Sequence, residues 1–261
     1  MNKTIFIGAR KGGVGKTMTT TSLGVGLARS GKKTLVIDTD SQFSLTTALG
    51  VKEPDKLTFT ISTALNKIIQ ETGFHPTSGI IKHRDGVDLM PANSKLTGIE
   101  LALAPLLGRE TILRQYVEVL KPMYDYILID TPPALDLLTI NALAASDSVI
   151  IPVVPRYLDA KGLELLLKSI SQIQKHINPN LTVEGILLTM VDFRANFTKD
   201  IIALIENSYG NSIRIFNEHI PSSIRASEST AQGLSIFSYD PHGKVAAAYS
   251  ELTKEVLCNA A

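Results

Sequence analysis

The residues best suited to chemistry lie in a glycine-rich stretch near the start of the chain. Residues 11–17 read Lys-Gly-Gly-Val-Gly-Lys-Thr, between an apolar run that ends at Gly8 and a helix-compatible segment that starts at Thr19. A strand, a glycine-rich turn and a helix in this order form a loop whose backbone N–H groups surround phosphate oxygens. The positive end of the helix dipole adds to that attraction. The sequence therefore predicts a phosphate-binding loop.

Two side chains of this loop have separate predicted tasks. Lys16 is expected to bring its charge to the β- and γ-phosphates of a nucleotide, and the Thr17 hydroxyl to ligate Mg²⁺. The usual first glycine of the motif is replaced by Arg10, and a second lysine, Lys11, begins the loop. The remaining loop residues are expected to contribute backbone N–H groups: Gly12, Gly13, Val14 and Gly15.

Three acidic residues lie at or just after the ends of apolar strands. Asp130 ends the run 127–129, a pattern that holds Mg²⁺ beside phosphate loops. Asp38 and Asp40 follow another apolar run, and we assign Asp38 to the magnesium network and Asp40 to positioning the attacking water. The alternative for each is an ordinary turn, because aspartate often ends strands.

The apolar runs that position these residues indicate an α/β fold. The runs are apolar throughout rather than alternating, which is typical of a mostly parallel sheet covered by helices on both faces. We therefore predict a doubly wound fold of the P-loop nucleotidase type, with its ligand crevice at the carboxyl ends of the strands. The segment 51–86 shows no clear pattern. Strands are predicted at 4–8, 34–38, 87–90, 126–130, 148–152 and 183–189, and helices at 19–30, 109–120, 137–145 and 199–209, with a final helix around 245–256.

Length and composition narrow the class of protein. A chain of 261 residues suits a single domain, predicted here over residues 1–261. The single cysteine, Cys258, excludes an intramolecular disulfide or a cysteine-rich metal site and makes the cytoplasm the expected location. A net charge of +1 means that nucleic-acid binding would need a local basic patch.

Beyond single motifs, the chain resembles the ParA family of DNA-partition ATPases, within the deviant Walker A group that also contains MinD-like proteins. The resemblance runs across nearly the whole chain. It departs from the family at Met18, where a second Thr is usual, and at Ser222-Ser223, where relatives often carry Arg-Asn. The segments that carry it are 11–17, 35–42, 91–93, 124–133, 139–143, 188–192, 220–221 and 239–241.

The resemblance implies an ATP-switched sandwich homodimer. In such a dimer Lys11 would reach the partner's nucleotide phosphates, as an arginine finger supplied in trans does. Met18 would keep a backbone N–H contact to the α-phosphate. Pro221 and Ser223 would lie on the adenine side, with Met190 nearby. Lys11 as a solvated loop charge and Pro221 as an ordinary turn residue are the alternatives.

The resemblance also implies non-specific DNA binding through the last third of the chain. Arg194 and Arg225 are the predicted phosphate contacts, with Lys199 and Arg214 in the same region. An iron–sulfur relative would need cysteines in mid-chain, which this sequence lacks. Because the chain enters its first strand at once, no N-terminal helix-turn-helix is expected.

The function expected from the resemblance is partition of a plasmid, chromosome or mobile element. ATP and Mg²⁺ would drive dimerisation, the dimer would bind DNA over the nucleoid, and a ParB-like centromere-binding partner would trigger hydrolysis. The alternative is a MinD-like or protein-cargo-positioning ATPase. The last helix has no basic face, so membrane binding is not expected.

Overall fold

One seven-stranded sheet organises the part of the chain that the structure describes. The computed structural model describes residues 2–259, apart from the side chains of 157–161 and 196. The strands are β1 (Lys3–Ile7), β2 (Thr34–Asp38), β3 (Ile81–Lys82), β4 (Asp88–Met90), β5 (Tyr126–Asp130), β6 (Ser148–Val153) and β7 (Thr182–Leu188). Their order is β3-β4-β2-β5-β1-β6-β7, and every pairing is parallel except that of β3 with β4. This agrees with the predicted doubly wound, mostly parallel fold.

Helices cover both faces of the sheet. They are α1 (Lys16–Arg29), α2 (Ser44–Ala48), α3 (Ile61–Ile69), α4 (Thr97–Leu103), α5 (Ile112–Leu120), α6 (Leu137–Ala145), α7 (Tyr157–His176), α8 (Asn196–Tyr209), α9 (Ile224–Ala231), α10 (Ile236–Tyr239) and α11 (Lys244–Cys258). Short 3₁₀ turns lie at Pro54–Lys56, Ser94–Leu96, Arg109–Thr111 and Lys121–Met123. Within residues 2–259 no helix combines the length and apolar character that crossing a membrane requires.

Two apolar clusters explain why the strands are hydrophobic throughout. Val36 of β2 packs with α1 and α11 on one face, whereas its neighbours Leu35 and Ile37 pack with α3, α5 and α6 on the other. Successive strand residues point to opposite faces, so a strand covered on both sides needs apolar residues at every position.

The strand order brings the predicted catalytic segments to one edge. β5 lies between β1 and β2, and in both pairings Asp130 is the last residue in register, opposite Ile7 of β1 and Asp38 of β2. The loop that follows β1 therefore lies beside Asp130, and Asp38 lies beside it on the other side.

Candidate active site

The glycine-rich loop wraps back on itself before α1 begins. Gly13 and Gly15 have left-handed backbone angles, φ 71° and φ 82°. Residues other than glycine rarely adopt such angles. Gly15 is the residue before α1, and Lys16 is the first residue of the helix. The first N–H groups of a helix have no acceptor within it, so this end of α1 offers free donors beside the loop.

Lys16 is held inside the loop rather than in solvent. Its ammonium donates to the Lys11 carbonyl at 3.1 Å, and the residue is only 8% exposed. Burial lowers the pKa of Lys16, while the nearby carboxylates of Asp130 and Asp40 act in the opposite direction. A phosphate placed here would supply the counter-charge that favours the ammonium form.

Thr17 and Asp130 form the second part of the site. The Thr17 hydroxyl donates to Asp130 Oδ2 at 2.8 Å, and the Thr20 hydroxyl donates to Oδ1 at 2.9 Å. Burial, followed by the charge of Asp38, raises the pKa of Asp130 to about 7. Sequence reasoning missed Thr20, although its spacing of three from Thr17 places both on one face of α1.

Asp38 and Asp40 differ in their surroundings. Asp38 is fully buried, and burial raises its pKa to about 6. Its Oδ1 accepts from the Asp40 N–H at 3.1 Å, and its Oδ2 accepts from the N–H and hydroxyl of Thr46 at 2.8 and 2.7 Å. Asp40, by contrast, lines a cavity that begins at the glycine-rich loop. Its Oδ1 accepts from the Gln42 N–H at 2.9 Å.

A cavity of about 560 Å³ extends from the loop toward α9 and α11. This volume lies within the roughly 300–1,000 Å³ of small-molecule sites. Each residue predicted for the adenine side lines it, as does Met18. The residues that line it include Gly12, Gly13, Gly15, Lys16, Thr17, Met18, Asp40, Met190, Pro221, Ser223, Ala226, Ser227, Thr230, Val245 and Tyr249.

The wall formed by α9 and α11 was not anticipated from the sequence. Tyr249 of α11 is buried, and its hydroxyl lies 3.1 Å from the Thr19 hydroxyl of α1. In the sequence, Tyr249 belongs to the apolar face of the final helix, so nothing nearby indicated that it would line the cavity.

The helix α9 begins beside this cavity. Ser223 caps it, accepting from the Arg225 N–H at 3.2 Å.

Two loop residues lie outside this cavity. Lys11 and Val14 line a separate crevice of about 10 Å³ together with Arg10 and Gly162. The Val14 side chain is buried, and its carbonyl accepts from the Thr189 hydroxyl at 2.8 Å. Lys11 and Val14 are therefore the two predicted loop residues that do not line the cavity.

The predicted DNA contacts lie on the surface of the last third of the chain. Arg194 is exposed in the loop before α8. The Arg225 side chain is 63% exposed at the start of α9, 3.4 Å from Glu228. The Arg214 side chain, in contrast, is only 34% exposed and forms a shorter ion pair, with Glu255 at 2.8 Å. Arg194 and Arg225 are thus better placed than Arg214 to meet a phosphate.

The donor set suits a magnesium nucleotide. Mg²⁺ usually binds one or two protein oxygens and completes its shell with phosphates and water. Thr17 and Asp130 provide a hydroxyl and a carboxylate in contact with each other. Among the side chains that the structure describes, no three His, Cys, Asp or Glu form a group that would bind a metal without such help.

The chain is similar to known proteins over nearly its whole length. Residues 2–183 match a family described as an AAA domain. The sporulation initiation inhibitor protein Soj of Bacillus subtilis is 40% identical over 99% of this chain and 100% of its own length. The chromosome partitioning protein ParA of Myxococcus xanthus is 38% identical over 98% of this chain and 88% of its own length.

A solved structure from Mycobacterium smegmatis shares the fold. It is described as a cobyrinic acid a,c-diamide synthase with bound ADP and magnesium, and it superposes with a TM-score of 0.83. It is 30% identical, over 98% of this chain and 94% of its own. Together these matches confirm the resemblance seen in the sequence: the chain belongs to the ParA/Soj family of partitioning ATPases and is an ATP hydrolase with ATP and Mg²⁺ as its cofactors.

Proposed function

We propose that this ATPase is a nucleotide-switched partition protein. ATP drives two copies together, the pair binds DNA without sequence preference, and a ParB-like centromere-binding partner stimulates hydrolysis and release. The observation that carries this proposal is the position of α9 between the cavity and solvent. Ala226, Ser227 and Thr230 of this helix line the nucleotide cavity, and Arg225 of the same helix is exposed to solvent.

Within the cavity, we assign each residue a task from its contacts. Lys16 and the loop amides bind the phosphates, while Thr17 and Asp130 hold Mg²⁺, with Asp38 beside Asp130 in the same network. When bound, Mg²⁺ offsets phosphate charge. Asp40 lines the cavity and orients the attacking water.

On the base side, the proposed contacts come from two separate segments of the chain. Met190 and Pro221 line the cavity beside the cap residue Ser223. Val191 and Pro221 are joined by an isolated bridge, which holds these two segments together. The purine would therefore lie between two segments that this bridge holds together.

Lys11 is proposed to act on the partner's nucleotide. It does not line the cavity of its own chain, although it is the first residue of the phosphate loop. A cation that enters the site only from a second copy makes hydrolysis depend on pairing, because charge that develops on the phosphates is then neutralised in the dimer alone.

DNA binding is proposed to use Arg194 and Arg225 as contacts to backbone phosphates. Such contacts carry no sequence information and weaken with added salt. The protein would then lie over the nucleoid in the cytoplasm, where its cargo is a plasmid, a chromosome region or a mobile element.

A sedimentation experiment tests this proposal against a membrane role. Protein with ATP or ADP is mixed with linear DNA of arbitrary sequence, or with anionic liposomes, and the bound fraction is measured. We expect ATP-dependent sedimentation with DNA and none with liposomes. Binding to liposomes alone, or DNA binding that is equal with ATP and ADP, would reject the proposal in favour of a MinD-like or other positioning role.

A further inference from the structure

A buried threonine outside the cavity, Thr46, ends the segment that carries Asp40 and shares a hydrogen-bond partner with it. Residues 40–46 leave the end of β2, pass through Phe43 in a left-handed conformation with φ 45°, and enter α2. Such a conformation is uncommon for a bulky residue and persists where the surroundings hold it. The contacts of this segment therefore decide where Asp40 lies.

Asp38 holds this segment at both ends. One carboxylate oxygen accepts from the Asp40 N–H at 3.1 Å, and the other accepts from the Thr46 N–H at 2.8 Å. Because Asp38 ends a central strand and is fully buried, it offers a fixed point to both residues.

The Thr46 hydroxyl extends this arrangement to a second strand. It donates to Asp38 Oδ2 at 2.7 Å and accepts from the Ala92 N–H at 2.9 Å. Ala92 lies two residues beyond the end of β4, the strand that pairs with β2. One hydroxyl thus joins the carboxylate, the start of α2 and the neighbouring strand end.

We propose that Thr46 is a positioning residue for hydrolysis, which acts through Asp38 to fix the place of Asp40. We call this pair, Asp38 and Thr46, the clamp. The proposal rests on the water-orienting role proposed for Asp40. Thr46 is fully buried and does not line the cavity, so it acts on Asp40 rather than on the nucleotide.

The physical reason is the sensitivity of catalysis to small displacements. Without the hydroxyl, Asp38 loses a donor and the buried Ala92 N–H loses its acceptor. The segment would relax, and a displacement of about 1 Å at a catalytic group can reduce a rate by roughly 100-fold. The hydrogen bonds of the clamp go to Asp40 and Ala92 rather than to the phosphate loop or α1, so we expect nucleotide affinity to be retained.

The test compares three substitutions, one of which is a matched control. Thr46→Val removes the hydroxyl at nearly constant volume, Thr46→Ser restores it, and Thr47→Val makes the same change at the exposed neighbouring residue of α2. Hydrogen–deuterium exchange is measured on the nucleotide-free protein, and Kd for ATP and kcat are measured with DNA present. Thr46→Ala gives a second variant without the hydroxyl if the valine lowers the folded fraction.

We expect Thr46→Val to speed exchange in residues 39–47 and at Ala92, and to lower kcat by roughly 10- to 100-fold with Kd unchanged. Thr46→Ser and Thr47→Val should match the wild type in each measurement. A wild-type exchange pattern in Thr46→Val overturns the clamp, as does an unchanged kcat. Should Asp40→Ala hydrolyse ATP normally, the role of Asp40 fails, whereas the exchange measurement still decides whether the clamp exists.

Discussion

Gly50 and Gly233 meet backbone to backbone, and a Cβ atom added to Gly233 would lie 2.5 Å from the Cα atom of Gly50. Gly50 follows α2, the helix after Asp40, and Gly233 follows α9, the helix that carries Arg225. Both glycines have left-handed angles, φ 86° and φ 65°. This contact joins the catalytic segment to the proposed DNA-binding helix.

Replacing Gly233 by alanine is expected to destabilise the protein by about 2–4 kcal/mol, because a left-handed alanine is strained and its Cβ overlaps Gly50. Gly31→Ala is the matched control, since Gly31 is also left-handed, with φ 81°, but has no atom within 4 Å of an added Cβ. It should lose only about 1 kcal/mol. Urea unfolding of both variants measures the difference, and equal losses would show that the Gly50 contact has little energetic weight.

The sheet was predictable from the sequence because its strands carry continuous apolar runs. The predicted strands 34–38 and 126–130 and the helix 137–145 coincide with the observed elements. α3 lies in the segment 51–86, where no pattern was apparent. α9 was also missed, since its sequence Ile-Arg-Ala-Ser-Glu-Ser-Thr-Ala has few apolar residues and depends on its cap and neighbours.

The candidate site was predictable only where its signal is local. The phosphate loop has a fixed spacing of glycines and lysines, and Asp38 and Asp130 end apolar strands. The cavity wall at Thr230 and Tyr249 comes from helices more than 200 residues away from the loop. Likewise, nothing in the sequence pairs Asp38 with Thr46, because that contact exists only once α2 has turned back toward β2.

The stability of the nucleotide-free protein should fall as pH rises from about 4 to 7. Burial raises the pKa of Asp130 to about 7 and that of Asp38 to about 6, both from 3.8. In this range the folded state binds protons that the unfolded state has released, so raising the pH favours unfolding, and the effect ends above the folded pKa.

The substitution Asp130→Asn isolates this effect. Asparagine does not titrate, so the variant should match the wild type near pH 4 and exceed its stability near pH 8 by roughly 4 kcal/mol. Urea unfolding at several pH values, without Mg²⁺ or nucleotide, measures both curves. Parallel curves for the two proteins would show that Asp130 is ionised in the folded state across the whole range.

Arg225→Gln should weaken binding to arbitrary duplex DNA and reduce the salt slope by about 1, because one phosphate contact is lost. The matched control is Lys254→Gln on α11. Lys254 is similarly exposed and forms an i,i+3 pair with Glu251, as Arg225 does with Glu228. Fluorescence anisotropy across a salt series with ATP measures both variants. Equal slopes for the two would argue against a DNA contact at Arg225.

Single substitutions of Lys11 and Lys16 should have different effects on ATP binding and hydrolysis. Lys16→Ala should lose ATP binding, since its ammonium lies inside the loop, where it would neutralise the charge of the phosphates. Lys11→Ala should bind ATP but not hydrolyse it. Calorimetric titration with ATP, followed by a phosphate-release assay, distinguishes these outcomes, and normal hydrolysis by Lys11→Ala would remove this residue from the mechanism.

A mixing experiment tests most directly whether the active site is completed by a second copy. Lys11→Ala retains its own Lys16 and Asp40, whereas Asp40→Ala retains Lys11 and can supply it to a partner. Each variant alone should be inactive, and an equimolar mixture should regain phosphate release, because mixed pairs contain one complete site. A mixture as inactive as its components would contradict the account, since Lys11 would then act only within its own chain.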